Sequence, residues 1–341
     1  MPPGVLLYGL PRTGKTPATL VPDLLWPGRG QRSGASREEE IIAMASEGEK
    51  PVGDTSVAVL GTGIMGSAMA RNLVAAGLRT TVWDRSASAT APLADAGAVV
   101  AGSPSDAVRE ARVVITMLPT ADVVEQVVFD AGVAEAFAHD AVWAQMGTIG
   151  LEATSNIVTG LSKQRPDVLF VDAPVSGSKG PAEAHQLLVL ASGPAQAEAV
   201  LSPVFSAIGR KTVWLGEAGQ GSRMKLVVNS YLSILIEGVA ETLKLAEQLK
   251  VDTSKLSEVI EGGPLDAPLA DAKLHKMEKG DFAPEFPLEW ALKDVDLAIE
   301  AAGGTAPPLL GALSLQWQRA VDAGHGREDI SAAWLALGGQ N

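Results

Sequence analysis

The chain of 341 residues sets 27 basic against 40 acidic side chains, a formal net charge of −13, with 46% hydrophobic residues and no cysteine. That length and apolar content suffice for about two domains with cores of their own. The acidic balance disfavours nucleic acid and anionic lipid as partners, and the missing thiols exclude disulfides, zinc-thiolate sites and redox-cysteine chemistry.

Residues 1–54 are rich in Pro, Gly, Arg and Glu and end in a charged run from Arg37 to Lys50. They read as a low-order N-terminal extension. Within them Gly9, Gly14, Lys15 and Thr16 match the P-loop pattern formally. However, Pro17 and Pro22 interrupt the helix that must hold the phosphates, and no following strand offers a metal-binding carboxylate. The match is read as accidental. The chain shows no signal-peptide pattern and no run of 18 apolar residues, so a cytoplasmic protein without a membrane span is expected.

From Ser56 the pattern changes. An apolar strand runs into Gly61-x-Gly63-x-x-Gly66 and then a helix with apolar Ala68, Leu73 and Val74. This strand, turn and helix setting is the one a dinucleotide fingerprint needs: Gly61 for the tight turn, Gly63 for approach of the pyrophosphate, Gly66 for helix packing. Ile64 and Met65 share the turn. Asp84 closes the second strand 18 residues beyond Gly66, where an acid hydrogen-bonds the ribose of NAD. Arg85 and Ser86 follow, and an arginine there pairs with the 2′-phosphate of NADP.

Further strands are predicted at Val113 to Leu118, Ala141 to Gln145, Val168 to Asp172, Leu187 to Ala191 and Thr212 to Leu215, with helices between, one of them capped by Ser103 ahead of Pro104. The alternation predicts an α/β domain over residues 55–217, a mostly parallel sheet whose ligand crevice lies at the carboxyl ends of its strands. Three loops fall at such ends: Met117-Leu118-Pro119, Met146-Gly147-Thr148, and the stretch from Asp172 that holds Ser176, Gly177 and Ser178. The last offers free backbone donors suited to a small carboxylate, though turn chemistry alone also accounts for it.

Gly216 to Glu237 is a glycine-rich turn leading into a long apolar helix in which Lys225 and Asn229, four apart, share a face. A buried lysine is a candidate for chemistry because desolvation penalises its charge. The alternative is that Arg223 and Lys225 snorkel from the first turn. Helical patterns then run over Glu237 to Lys250, Leu288 to Ala302, Leu309 to Ala323 and Ile330 to Leu337, an all-helical domain over 218–341. On helical periodicity alone Lys293 reads as a solvated surface lysine. The central helix is more apolar than one small domain requires, which predicts a homodimer or homotetramer.

Taken together GTGIMG, DAPVSG, GQGSRMKLVVN and the Lys293-Asp294 pair resemble the β-hydroxyacid dehydrogenase family over about Ser56 to Leu337. APVSGSKGPAE is most similar to its glyoxylate/succinic semialdehyde reductase branch. The resemblance implies a Rossmann-type domain and a helical domain linked by the long central helix, and a small carboxylated aldehyde or its hydroxy acid as substrate. It also implies Lys225 as the catalytic lysine, Ser176, Gly177 and Asn229 on the substrate, Phe286 and Asp294 near the pocket, and Lys293 beside the nicotinamide. The cofactor would contact the glycine turn, Asp84 to Ser86, Met117 to Pro119 and Thr148; NADP is expected over NAD, by the narrow margin that Arg85-Ser86 and the branch hold over Asp84. His185 stands where the branch often has glycine, Gly147 replaces a frequent serine, and Asp84 replaces an asparagine. Short-chain dehydrogenase chemistry is excluded, since neither Tyr8 nor Tyr231 precedes a lysine by four. The four histidines read as surface residues without the placed setting that a histidine acid needs, no pair has metal-ligand spacing, and no metal is expected. The alternatives are an imine reductase-like oxidoreductase or a non-catalytic scaffold, and both usually lack the lysine retained at 225.

Overall fold

The computed structural model describes residues 55–338 apart from 304 and 306. The extension and its P-loop-like segment lie outside the described residues. Six strands, β1 (Ser56–Leu60), β2 (Arg79–Trp83), β3 (Val99–Val100), β4 (Val113–Thr116), β5 (Val142–Gln145) and β6 (Leu169–Asp172), form a wholly parallel sheet in the order β3-β2-β1-β4-β5-β6. Strand alternation divides the core between its faces. Val57, Val59, Ile115 and Ala144 pack on one side with Met69 and Leu73 of helix α1 (Ile64–Ala75) and with Leu201 and Phe205 of α3 (Gln196–Ile208). Ala58, Leu60, Val114 and Trp143 pack on the other with Ile157 and Leu161 of α2 (Leu151–Gln164).

The last two predicted strands do not join this sheet. β7 (Val175–Ser176), β8 (Leu187–Ala191) and β9 (Gly209–Trp214) make a separate three-stranded sheet, β7 antiparallel and β9 parallel to β8. From Asp172 the chain runs on through β7 in one register against Ser192 to Leu188, and it reverses only between Ser176 and Leu187, a connection too short for the parallel crossover that would return a strand to the first sheet. One isolated bridge, Asp172 to Ser192, ties the two sheets together.

Helix α4 (Gln220–Gln248) has 29 residues, about 43 Å at 1.5 Å per residue. Its length and composition would let it cross a membrane, yet Leu226, Ile236, Ala240 and Leu243 are buried within the fold. It packs against β6, β7 and β8 near its start and against α5 (Pro268–Lys279), α6 (Leu288–Ala301) and α7 (Pro308–Ala320) further on. The periodicity in α5 is broken by Lys273, and the helix escaped the sequence reading. Lys273 is buried because its ammonium lies 2.9 Å from both Asp329 Oδ1 and Glu285 Oε2. Burial opposes the charge on Asp329, but Lys273 and Ser331 outweigh it and hold that carboxyl below the usual range.

The buried face of α4 is partly polar: Lys225, Asn229, Ser233 and Glu237 recur every four residues, all buried. Glu237 Oε2 accepts a 2.7 Å hydrogen bond from Trp317 Nε1, whereas its Oε1 is buried without a partner among the described residues. Burial pushes this carboxyl up from 4.5 to about 7, against the Trp317 hydrogen bond and with help from Glu241. A raised folded-state pKa means that folding favours the protonated acid. The contribution is complete below 4.5 and is lost as pH rises through about 7. Chemical denaturation of wild type and Glu237→Gln should therefore diverge with pH, the variant gaining up to roughly 3 kcal/mol relative to wild type between pH 5 and 8. A stability difference that stays constant over that interval would contradict the assignment.

Candidate active site

The glycine turn after β1 has the geometry its sequence requires. Gly61 adopts φ +95°, and a Cβ there would stand 2.5 Å from Met117 O; a Cβ on Gly66 would stand 1.9 Å from Gly61 O. Above Gly63 nothing lies within 4 Å, so the turn leaves open space where a pyrophosphate approaches the start of α1, which carries Ile64 and Met65. The residues present fit a dinucleotide. Asp84, at the end of β2, accepts from Thr62 N at 2.7 Å through Oδ2 and from Ser86 N at 2.9 Å through Oδ1. Its carboxylate is thereby locked onto the turn, and Arg85 beside it is exposed.

Met117, Leu118 and Pro119 follow β4, and Thr148 follows β5. Gly147 explains its own departure from the branch. A Cβ there would meet Leu118 O at 2.3 Å, so the two loops touch through backbone and a serine would force them apart. His185 likewise adopts φ +59°, the left-handed conformation for which glycine is usual, and its Nδ1 lies 3.1 Å from Ala207 O. Ser176 ends β7, and Gly177 takes φ +131° with its Cβ position 2.8 Å from Leu187 Cδ2. This loop is held from behind by Asn72 of α1, whose Nδ2 donates to Ala182 O at 2.7 Å.

Helix α4 enters from a buried cap that sequence reasoning missed. Ser222 donates to Asp172 twice, N to Oδ2 and Oγ to Oδ1, both at 2.7 Å. Ser192 Oγ accepts from Gly221 N at 2.8 Å and donates to Asp172 Oδ2 at 3.2 Å. Burial raises the Asp172 carboxyl above the usual carboxylate range although these donors pull against it. Only topology unites the three elements, for Asp172 and Ser222 are far apart in sequence and carry no shared motif.

One turn into α4 stands Lys225. It is buried, and its ammonium has no hydrogen-bond or ion-pair partner among the described residues. Burial lowers it from 10.5 to about 8; Asp294 opposes that shift and Lys293 adds to it. Asn229, on the same face, donates to Asp294 Oδ2 at 2.6 Å. Lys293 Nζ stands 2.8 Å from Asp294 Oδ1, an ion pair by distance, and donates to Thr148 O. The solvated-lysine reading of Lys293 is therefore corrected: it is mostly buried and bridges the helical lobe to the loop after β5, a contact 145 residues away that helix periodicity cannot reveal. Phe286 takes no part in this network. It packs half-buried on the helical core, its N–H donating to Asp329 Oδ2 at 3.2 Å.

Residues 56–216 match the family model for the NAD binding domain of 6-phosphogluconate dehydrogenase, and residues 219–337 that for the NAD-binding domain of NADP-dependent 3-hydroxyisobutyrate dehydrogenase. The chain is 33% identical over 287 residues to glyoxylate/succinic semialdehyde reductase 1 of Arabidopsis thaliana, covering 82% of this chain and 98% of that one. It is 34% identical over 288 residues to 3-sulfolactaldehyde reductase of Escherichia coli, covering 81% and 94%. The solved structure of Mycobacterium tuberculosis 3-hydroxyisobutyrate dehydrogenase with L-serine superposes with a TM-score of 0.73 at 31% identity, covering 83% of this chain and 99% of that one. The dinucleotide turn together with these matches makes this an NAD(P)-dependent oxidoreductase. The relatives narrow that class, and the chain belongs to the β-hydroxyacid dehydrogenase family, of the 3-hydroxyisobutyrate dehydrogenase-like kind.

Proposed function

We propose that the protein reduces a small carboxylated aldehyde, such as glyoxylate or succinic semialdehyde, to its hydroxy acid, with Lys225 as the general acid. The observation that carries this reading is a buried lysine whose ammonium has no hydrogen-bond or ion-pair partner among the described residues, lowered to about 8. A bound nicotinamide cofactor supplies the hydride. As the carbonyl becomes an alkoxide, negative charge builds on its oxygen, and Lys225 Nζ both stabilises that charge and gives up the proton that completes the hydroxyl. In the reverse direction the neutral amine accepts the hydroxyl proton, which a pKa near 8 makes available at moderate pH. Asn229 is held by Asp294 with its amide nitrogen committed, so its carbonyl oxygen is left to orient the ammonium or the substrate. Ser176 and Gly177 bind the carboxylate, and Phe286 walls the pocket. Lys293 flanks the nicotinamide with Thr148, and the glycine turn with Met117 to Pro119 holds the rest of the dinucleotide.

NADPH is the preferred cofactor in this reading. Both oxygens of Asp84 are engaged by backbone donors, which blunts its repulsion of a 2′-phosphate, while exposed Arg85 and Ser86 are open to receive one. Lys225→Ala should lower kcat by roughly 10²–10⁴ with cofactor affinity little changed. Steady-state rates over a panel of C2 to C4 semialdehydes and 3-hydroxy acids, with NADPH and with NADH, check all three parts. Near-wild-type turnover by the variant would defeat the mechanism, a wild type inert on the whole panel would defeat the substrate class, and a tenfold preference for NADH would reverse the cofactor.

The same helix supports association into a homodimer or homotetramer. Val227 and Tyr231 are 67% and 70% exposed one turn apart, and Met224 and Leu245 extend the apolar stripe. Light scattering should give a dimer or tetramer at micromolar concentration and a smaller species for Val227→Glu with Tyr231→Glu. A monomeric wild type would rule this out.

A further inference from the structure

The three-stranded sheet carries a second concave site that the proposed reaction does not use. In the order β7-β8-β9, strand β9 is paired along one edge only. Gly209 and Lys211 pair in succession with Leu187 and Leu188, which leaves Arg210 as an extra residue, a β-bulge. Bulges are rare between parallel strands, and at sheet edges they re-aim side chains. Beyond the bulge, two-residue alternation sets Thr212 and Trp214 on one face of β9, and the bulged Arg210 lines the same cavity. Helix α3 presents Glu198, Ser202 and Ser206 at four-residue spacing, which is one helix face. The two faces enclose a cavity of about 310 Å³ into which Lys211 also reaches.

The lining is chemically specific. Arg210 and Lys211 are exposed and form no ion pair among the described residues, although the chain carries a net charge of −13. The hydroxyls of Ser202, Ser206 and Thr212 have no hydrogen-bond partner among the described residues either. Glu198 contributes a single exposed carboxylate, so the lining keeps one net positive charge. Half-buried Trp214, its ring 6.3 Å from that of Phe205, gives a flat aromatic wall. A fork of guanidinium donors, an ammonium and three hydroxyls match the oxygens of a phosphate monoester, and the indole suits a ring attached to it. Charges on an edge strand also block pairing with another strand, but that role needs neither the free hydroxyls nor the aromatic wall.

We propose that this cavity is an accessory binding site for a small aromatic phosphate monoester, its phosphoryl group on Arg210, Lys211 and the hydroxyls and its ring against Trp214. The inference is independent of the role of Lys225. Isothermal titration of the full chain with phenyl phosphate tests it. Saturable one-to-one binding is expected, weakened at least about tenfold in Arg210→Ala with Lys211→Ala, whose side chains are exposed and outside the core. Arg85→Ala, which alters the cofactor cleft instead, should leave the affinity unchanged, and phenol should bind at least about tenfold more weakly than phenyl phosphate. Absence of saturation up to about 10 mM, equal binding by the double variant, loss of binding in Arg85→Ala, or phenol binding as tightly as phenyl phosphate would each overturn the proposal.

Discussion

A helix that begins inside a protein leaves its first N–H groups without partners, and the site depends on how α4 resolves that problem. Gly221 and Ser222 of its first turn are buried at the junction of two sheets, where water cannot serve their donors. The Asp172 carboxylate, fully buried, takes Ser222 N and Oγ directly and reaches Gly221 N through Ser192. A negative group there also complements the positive end of the helix dipole. Because Lys225 stands one turn beyond Ser222, the cap that satisfies the backbone also fixes where the ammonium is delivered. Lys293 makes the second fastening from α6, across to Thr148 at the end of β5. Strand ends, cap and lysine bridge thus bring the glycine turn and Lys225 into one framework.

The electrostatics of that framework follow from what Asp294 does not do. A carboxylate paired directly with Lys225 would hold its proton firmly and make it a poor acid. Asp294 is instead committed to Asn229 at 2.6 Å and to Lys293 at 2.8 Å, so it reaches Lys225 only as a field. Burial then dominates, Lys293 adds repulsion, and the lysine is lowered to about 8. The cost is a buried ammonium unpaired among the described residues, the kind of local conflict that functional sites carry and structural cores avoid.

Much of this was legible in the sequence, because each legible part is local. The fingerprint needs one strand, one turn and one helix in succession, and Gly61, Gly63 and Gly66 announce it. The pairing of Lys225 with Asn229 follows from helical spacing. The illegible parts join residues that only the fold makes neighbours. Nothing near Asp172 marks it as the cap of a helix beginning 48 residues later, and nothing near Lys293 points to Thr148. The strands at 187–191 and 212–215 were legible as strands, but the short reversal between β7 and β8 rather than their composition assigned them to a second sheet. Helix α5 went unread because Lys273 sits where periodicity requires an apolar residue, and its burial depends on Asp329. Gly147 and His185 looked like departures from a family pattern until backbone geometry explained them.

The pH dependence of kcat/KM for hydroxy-acid oxidation tests the central claim most directly, since that direction needs Lys225 as a neutral base. The account predicts an acid-side limb, with kcat/KM rising with pH through an apparent pKa near 8 in wild type. It also predicts that Lys293→Met, which removes the neighbouring cation, moves that limb to higher pH. A profile without a limb in this region, or a limb that stays in place when Lys293 is neutralised, would contradict it.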